Sequence, residues 1–170
     1  MNGIAVLQQG LTWAHELLET VMADVTAEQA HWTPPGIANP ISALYIHDVL
    51  GEDALIGLLR QDTPQYASAW EGQTGVSDPQ WQLAYEWART VQLDLPIFRE
   101  YAQAVYAATQ TFLAGLTDAQ LGQELDLTAL DLGERNLGWA LNALLLGHIN
   151  NMAGEISTLK GLQGAKGYPF

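Results

Sequence analysis

The sequence predicts an all-α fold, a four-helix bundle with long crossover connections. Three observations predict it. Apolar residues recur at spacings of three and four over four long stretches. Helix start and stop residues flank those stretches. The connections between them differ in length and are rich in Gly, Pro and small polar residues.

In the first stretch Ile4, Leu7, Leu11, Ala14, Leu18, Val21 and Val25 share one helix face. Thr26 to Trp32 predicts a short turn of helix, with Thr26 as N-cap and Gln29 completing a capping box. Thr33 to Pro40 reads as a loop by its Pro and Gly. Asn39 followed by Pro40 predicts an N-cap and a first helical residue, opening a helix over about 40–60. Residues 61–79 read as a connection, and Ser77, Asp78 and Pro79 could open a short helix through Trp81, Tyr85 and Trp87. Asp94 caps the third long segment, in which Ile97, Tyr101, Val105, Ala108 and Phe112 share a face. Residues 117–136 are acidic and poorly periodic, as suits an irregular crossover without a predicted strand. Asn136 caps the last long helix, over about 137–163, and Gly164 stands at its C-cap. One domain over 1–170 is expected.

Composition narrows the function classes. The chain has 170 residues, 19 Asp or Glu against six Lys or Arg, and a net charge of −13. No base precedes Arg60. Such a surface repels phosphate backbones and anionic lipid, so nucleic acid and membrane are excluded as partners. Only 15% of residues are charged, against about a quarter in average globular proteins, so some apolar area should face a partner or ligand. The absence of Cys removes disulfides, thiolate ligands and Cys nucleophiles. The first residues carry no positive n-region, and no apolar run approaches the roughly 18 residues of a span. A cytoplasmic protein is expected.

The informative residues interrupt the apolar stripes. The last helix gives the series Leu137, Leu141, Leu144, His148, Asn151, Glu155, Leu159 and Leu162, apolar at both ends and polar in the middle. His148, Met152 and Glu155 should then project together toward the bundle axis. In the second long helix, His47 lies in the stripe of Ala43, Leu44, Leu50, Ala54 and Leu58. A lone histidine on an apolar face is ordinarily a hydrogen-bonded core residue. Two of them on different helices, beside Asn and Glu, point to a common partner: a metal, a water cluster or a ligand. His15 reads as a boundary residue of the first helix, and His31 as a helix-end residue. Most acids should lie on outer faces and in 117–136, with Glu155 the exception inside.

These residues resemble the DinB/YfiT-like family of four-helix metalloenzymes. The likeness covers nearly the whole chain. It rests on Leu44-Tyr45-Ile46-His47 with Glu52 after it, on the preceding loop of residues 35–41, and on His148 followed by Gly154-Glu155-Ile156. The resemblance implies a divalent metal, zinc or nickel, on His47 and His148. The third family ligand, a histidine, falls here on Met152. A neutral thioether suits neither metal in a histidine site. Glu155 or Asn151 could complete the site, water could fill the position, or the metal could be lost; the last two rank above the first.

Characterised relatives include thiol-dependent transferases and isomerases, in which a metal binds the thiol sulfur and favours the thiolate. On that resemblance Glu155 would be a general base or an orienting group. Trp70, Trp81 and Trp87 are candidates to line a substrate pocket, with core packing the commoner role for each. The competing expectation is a non-catalytic bundle that binds a small molecule or dimerises. The resemblance implies a homodimer in either case.

Overall fold

The computed structural model describes residues 2–168. Helix α1 (Gly3–Met22) is capped by Asn2, whose side chain accepts from the Ala5 N–H. Every residue of its predicted stripe is buried, from Ile4 to Val25. Helix α2 (Ala27–His31) has the predicted capping box between Thr26 and Gln29. Helix α3 (Ile41–Arg60) starts one residue later than expected: Pro40 is its N-cap, without a side-chain hydrogen bond. Of the short helix predicted to begin near residue 77, only α4 (Tyr85–Thr90) forms. Asp94 caps α5 (Leu95–Ala114) through the Ile97 N–H. The face buried on α5 is centred on Phe98, Tyr101, Ala102, Val105 and Leu113, while Ile97 is exposed. Residues 117–136 hold a small antiparallel hairpin, β1 (Glu124–Asp126) with β2 (Glu134–Asn136), in register Leu125 to Arg135.

The last helix opens on Asn136, which caps it through the Trp139 N–H. It runs as α6 (Leu137–Ala140), a π-helical segment (Leu141–Leu146) and α7 (Gly147–Leu162). Gly164 follows with φ +78, the left-handed conformation that ends helices. The π segment explains where the sequence reading of this helix fails. A wider turn inserts one residue, so interior positions after it fall one residue later. Leu145 is buried in place of Leu144, Ile149 in place of His148, Met152 in place of Asn151, and Ile156 in place of Glu155. Glu155 and Asn151 are exposed, and so is Leu162.

Packing joins the long helices in a ring in which α1 and α3 each touch both α5 and α7. The sequence-consecutive pairs α1 with α3 and α5 with α7 therefore sit diagonally, whereas α3 and α5 are neighbours, an order the long connections permit. The centre is closed by aromatic rings: Tyr45 meets Phe98 at 4.9 Å between centroids, and Phe98 meets Tyr101 at 5.6 Å. Helix α3 is the most interior element. Fourteen of its 20 residues are buried, among them Asp48, Glu52 and Asp53. Glu155 is therefore not the acid inside the bundle; three acids of α3 are. Among the described residues no helix is long and apolar enough to cross a membrane.

Candidate functional site

Helices α3 and α7 bring His47 and His148 together. Their ring centroids are 4.9 Å apart and nearly perpendicular, at 85°. Both line a cavity of about 560 Å3. Its walls are small and apolar: Gly51, Ala54 and Leu55 from α3, Ala143 and Leu144 from the π segment, and Leu130 and Leu132 from the hairpin loop. Trp81 closes one side. Asp131, at φ +58 in that loop, is the charged residue at the rim.

His47 is held in a defined orientation. Its Nδ1 lies on the Trp81 carbonyl oxygen. A carbonyl can only accept, so Nδ1 carries the hydrogen and the neutral ring keeps its lone pair on Nε2. His148 is kept neutral: desolvation first, then His47, push its pKa down to about 4. Its side chain is 31% exposed, and its Nε2 lies 3.7 Å from Oδ1 of Asp48. Met152 is 7% exposed and belongs to the hydrophobic core. Glu155 does not join the pair, for the reason of helix phase given above. Among the described residues no three His, Asp or Glu groups already converge as a metal cage.

A second polar cluster fills the middle of the bundle. The His15 ring N–H donates to Oε2 of Glu52 at 2.9 Å, and the Thr109 hydroxyl donates to its other oxygen. His15 is 6% exposed and stacks on Tyr106 at 3.9 Å, so it is interior rather than a boundary residue. Tyr45 and Tyr106 both donate to Oε1 of Glu19, at 2.7 and 2.9 Å. Asp53 accepts from the Tyr101 hydroxyl at 2.8 Å and from the Tyr66 N–H at 2.9 Å. Burial is the main cause that pushes these three tyrosines up, so they stay donors. Asp48 is different. Its carboxyl is pushed well above the ordinary range by burial first, then by Glu52 and Glu19. Among the described residues neither of its oxygens has a hydrogen-bond partner.

Of the three candidate tryptophans, Trp81 lines the cavity. Trp70 packs against Tyr101, and Trp87 is buried with its indole N–H on the Asp78 carbonyl. His31 ends α2, where its Nε2 accepts from the Leu93 N–H. The reading of the residues missed Asp48 and Asp53. A usable signal was present: α3 has apolar residues on all sides, interrupted in its middle only by His47 and its acids, and a helix apolar all round is an interior one.

Comparison with known proteins agrees with this architecture. A crystal structure of a conserved protein from Enterococcus faecalis superposes with a TM-score of 0.80 at 20% identity, over 95% of this chain and 97% of that one. A search of curated proteins gives no match. The sequence profile of the DinB superfamily matches residues 11–152, which run from the middle of α1 into α7 and include both histidines. The chain therefore belongs to the DinB superfamily.

Proposed function

We propose that this protein holds a divalent cation, zinc or nickel, between His47 and His148, at the wall of a pocket for an apolar small molecule. One observation carries the reading. Two imidazoles from distant parts of the sequence meet at 4.9 Å on one cavity, one oriented by a carbonyl and the other kept neutral by burial. Metal ligation needs neutral imidazoles held by outer hydrogen bonds. Bound there, the cation would supply Lewis acidity, drawing a sulfur or oxygen atom of the small molecule toward its deprotonated form.

The chain's own residues supply the rest. Leu55, Leu130, Leu132 and Leu144 give the cavity an apolar wall, and Trp81 both lines it and sets the His47 tautomer. Among the described residues no Lys or Arg lines it, so a carboxylate or phosphate on the ligand would find no cationic side chain there. Thiol-transfer chemistry of the kind implied by the resemblance fits such a site.

The test is calorimetric titration of EDTA-stripped, untagged protein with Zn2+ or Ni2+. One equivalent per chain is expected, lost in His47→Ala and His148→Ala. Wild-type protein that binds neither ion refutes the metal reading. A second reading, a non-catalytic bundle with an apolar ligand pocket, draws support from Met152, which places a core thioether at the third family position. Homodimerisation is proposed for the α1 face bearing Val6 and Trp13, each 53% exposed. Light scattering that gives a monomer mass would refute it.

A further inference from the structure

The metal reading leaves Asp48 without a role. Its side chain is 0% exposed, and both carboxyl oxygens lack a hydrogen-bond partner among the described residues. The same helix provides the comparison. Glu52, one turn on, is satisfied by His15 and Thr109, and Asp53 by Tyr101 and Tyr66. The fold thus places donors around two buried acids of α3 and leaves the third bare, although a bare buried carboxyl opposes folding. The acids nearest to it, Glu52 and Glu19, add negative charge. The basic group facing it is His148, whose Nε2 stands 3.7 Å from Oδ1.

That separation is too long for a hydrogen bond. It is close to the spacing of two donor atoms on one ion: bonds of about 2.0–2.2 Å at a tetrahedral angle put the donors about 3.3–3.6 Å apart. We propose that Asp48 is the third protein ligand of the cation held by His47 and His148, a carboxylate standing where the family pattern has a histidine and this chain has Met152. The inference rests on the metal reading above. His47 and Asp48 are adjacent on α3, and His148 lies between them, its ring against one and its Nε2 toward the other. Among the described residues the three groups do not yet converge, so with His47 held on the Trp81 carbonyl and offering Nε2, it is the part-exposed His148 that must turn to close the set. Two imidazoles and one carboxylate leave open positions for water or a ligand atom, the arrangement of catalytic sites. The ion would in turn balance a buried carboxylate that the protein itself leaves uncompensated.

The experiment compares EDTA-stripped wild type, Asp48→Asn, Asp48→Ala and His47→Ala by Zn2+ calorimetry and by the visible spectrum with Co2+. The far-UV spectrum of each metal-free protein is the control for folding. Asp48→Asn is nearly isosteric and removes only the anionic donor, and either Asp48 variant that keeps the wild-type fold decides. The expected result is one Zn2+ per wild-type chain, no binding to His47→Ala, more than about 100-fold weaker binding to the Asp48 variant, and an altered Co2+ band. A weakening of about 10- to 100-fold with the Co2+ band unchanged marks a group acting through a ligand and overturns direct ligation. Unchanged affinity in the Asp48 variant, with binding lost in His47→Ala, overturns the role of Asp48 and leaves the histidine site standing. Wild type that binds no metal overturns both.

Discussion

In the metal-free protein, two groups of the candidate site should pull stability in opposite directions as pH changes, and single substitutions should separate them. The Asp48 carboxyl is raised well above its ordinary 3.8. Above about pH 4 the unfolded chain has released this proton and the folded chain keeps it. The Asp48 contribution is therefore full below about pH 4 and falls as pH rises toward the folded value. His148 is lowered from 6.5 to about 4. Here the unfolded chain protonates first, so its contribution is full above about pH 6.5 and falls as pH drops toward 4. The two slopes therefore oppose each other between pH 4 and 6.5. Above 6.5 the His148 contribution is complete and no longer rises to offset Asp48. Full linkage at His148 would be worth about 3 kcal/mol. With 31% of its side chain exposed, solvent screening reduces this to about 2 kcal/mol. Asp48→Asn should therefore gain about 2 kcal/mol between pH 4 and 6.5 and then level off, whereas His148→Gln should lose stability as pH rises from 4. The assay is urea denaturation followed by circular dichroism from pH 4 to 8 in EDTA. Other carboxyl groups contribute equally to all three proteins, so difference curves are read against wild type. A wild-type minus Asp48→Asn difference that stays flat within about 0.5 kcal/mol refutes the reasoning.

Three further outcomes follow from particular contacts. Tyr45→Phe and Tyr106→Phe should each cost about 1–2 kcal/mol, and the double variant less than their sum because both hydroxyls donate to one oxygen of Glu19; additive costs in a denaturation cycle would count against a shared acceptor. Gly75→Ala should cost about 1–3 kcal/mol, since Gly75 has φ +77 and a Cβ there would stand 3.0 Å from the Asp94 carbonyl oxygen and the Ile97 Cβ; a melting temperature equal to wild type would refute this. Deleting exposed Asn142 from the π segment should restore an ordinary helical turn and rotate the two halves of the last helix by about 100° relative to each other. Helix content by circular dichroism should persist while Zn2+ binding is lost, and unchanged binding would show that the π turn does not position His148.

The bundle was legible because its signals are local and redundant. Asn136, Asp94 and the Thr26–Gln29 box each mark a helix start by side-chain chemistry that needs no tertiary context. The α1 stripe was right at every position because a surface helix must keep its apolar residues on one face. Helix α3 lacks that contrast. With apolar residues all round, its periodicity does not say which of its acids turn inward, and the partners that satisfy Glu52 and Asp53 lie on α1, on α5 and in the loop after α3. Those contacts depend on the ring order of the helices, which no local signal encodes.

The error at Glu155 has a sharper cause. Leu137, Leu141, Leu145 and Ile149 are all buried, at steps of four residues. Each such step overshoots an α-helical turn by about 40°, and the accumulated rotation would carry the stripe out of the core. The π segment over Leu141–Leu146 absorbs it. The same insertion changes what the polar residues can do. In a regular helix His148 would point at the bundle axis, with Asn151 and Glu155 behind it. With the π turn, Ile149 takes the axis, and His148 moves to the boundary where core and cavity meet, facing His47 and Asp48. Met152 then fills a core position, where a flexible thioether packs well and a third imidazole would need a polar partner. The π turn and the methionine are thus mutually consistent. A ligand set built on this helix phase would have to complete itself from α3, where the adjacent buried acid without a partner is Asp48.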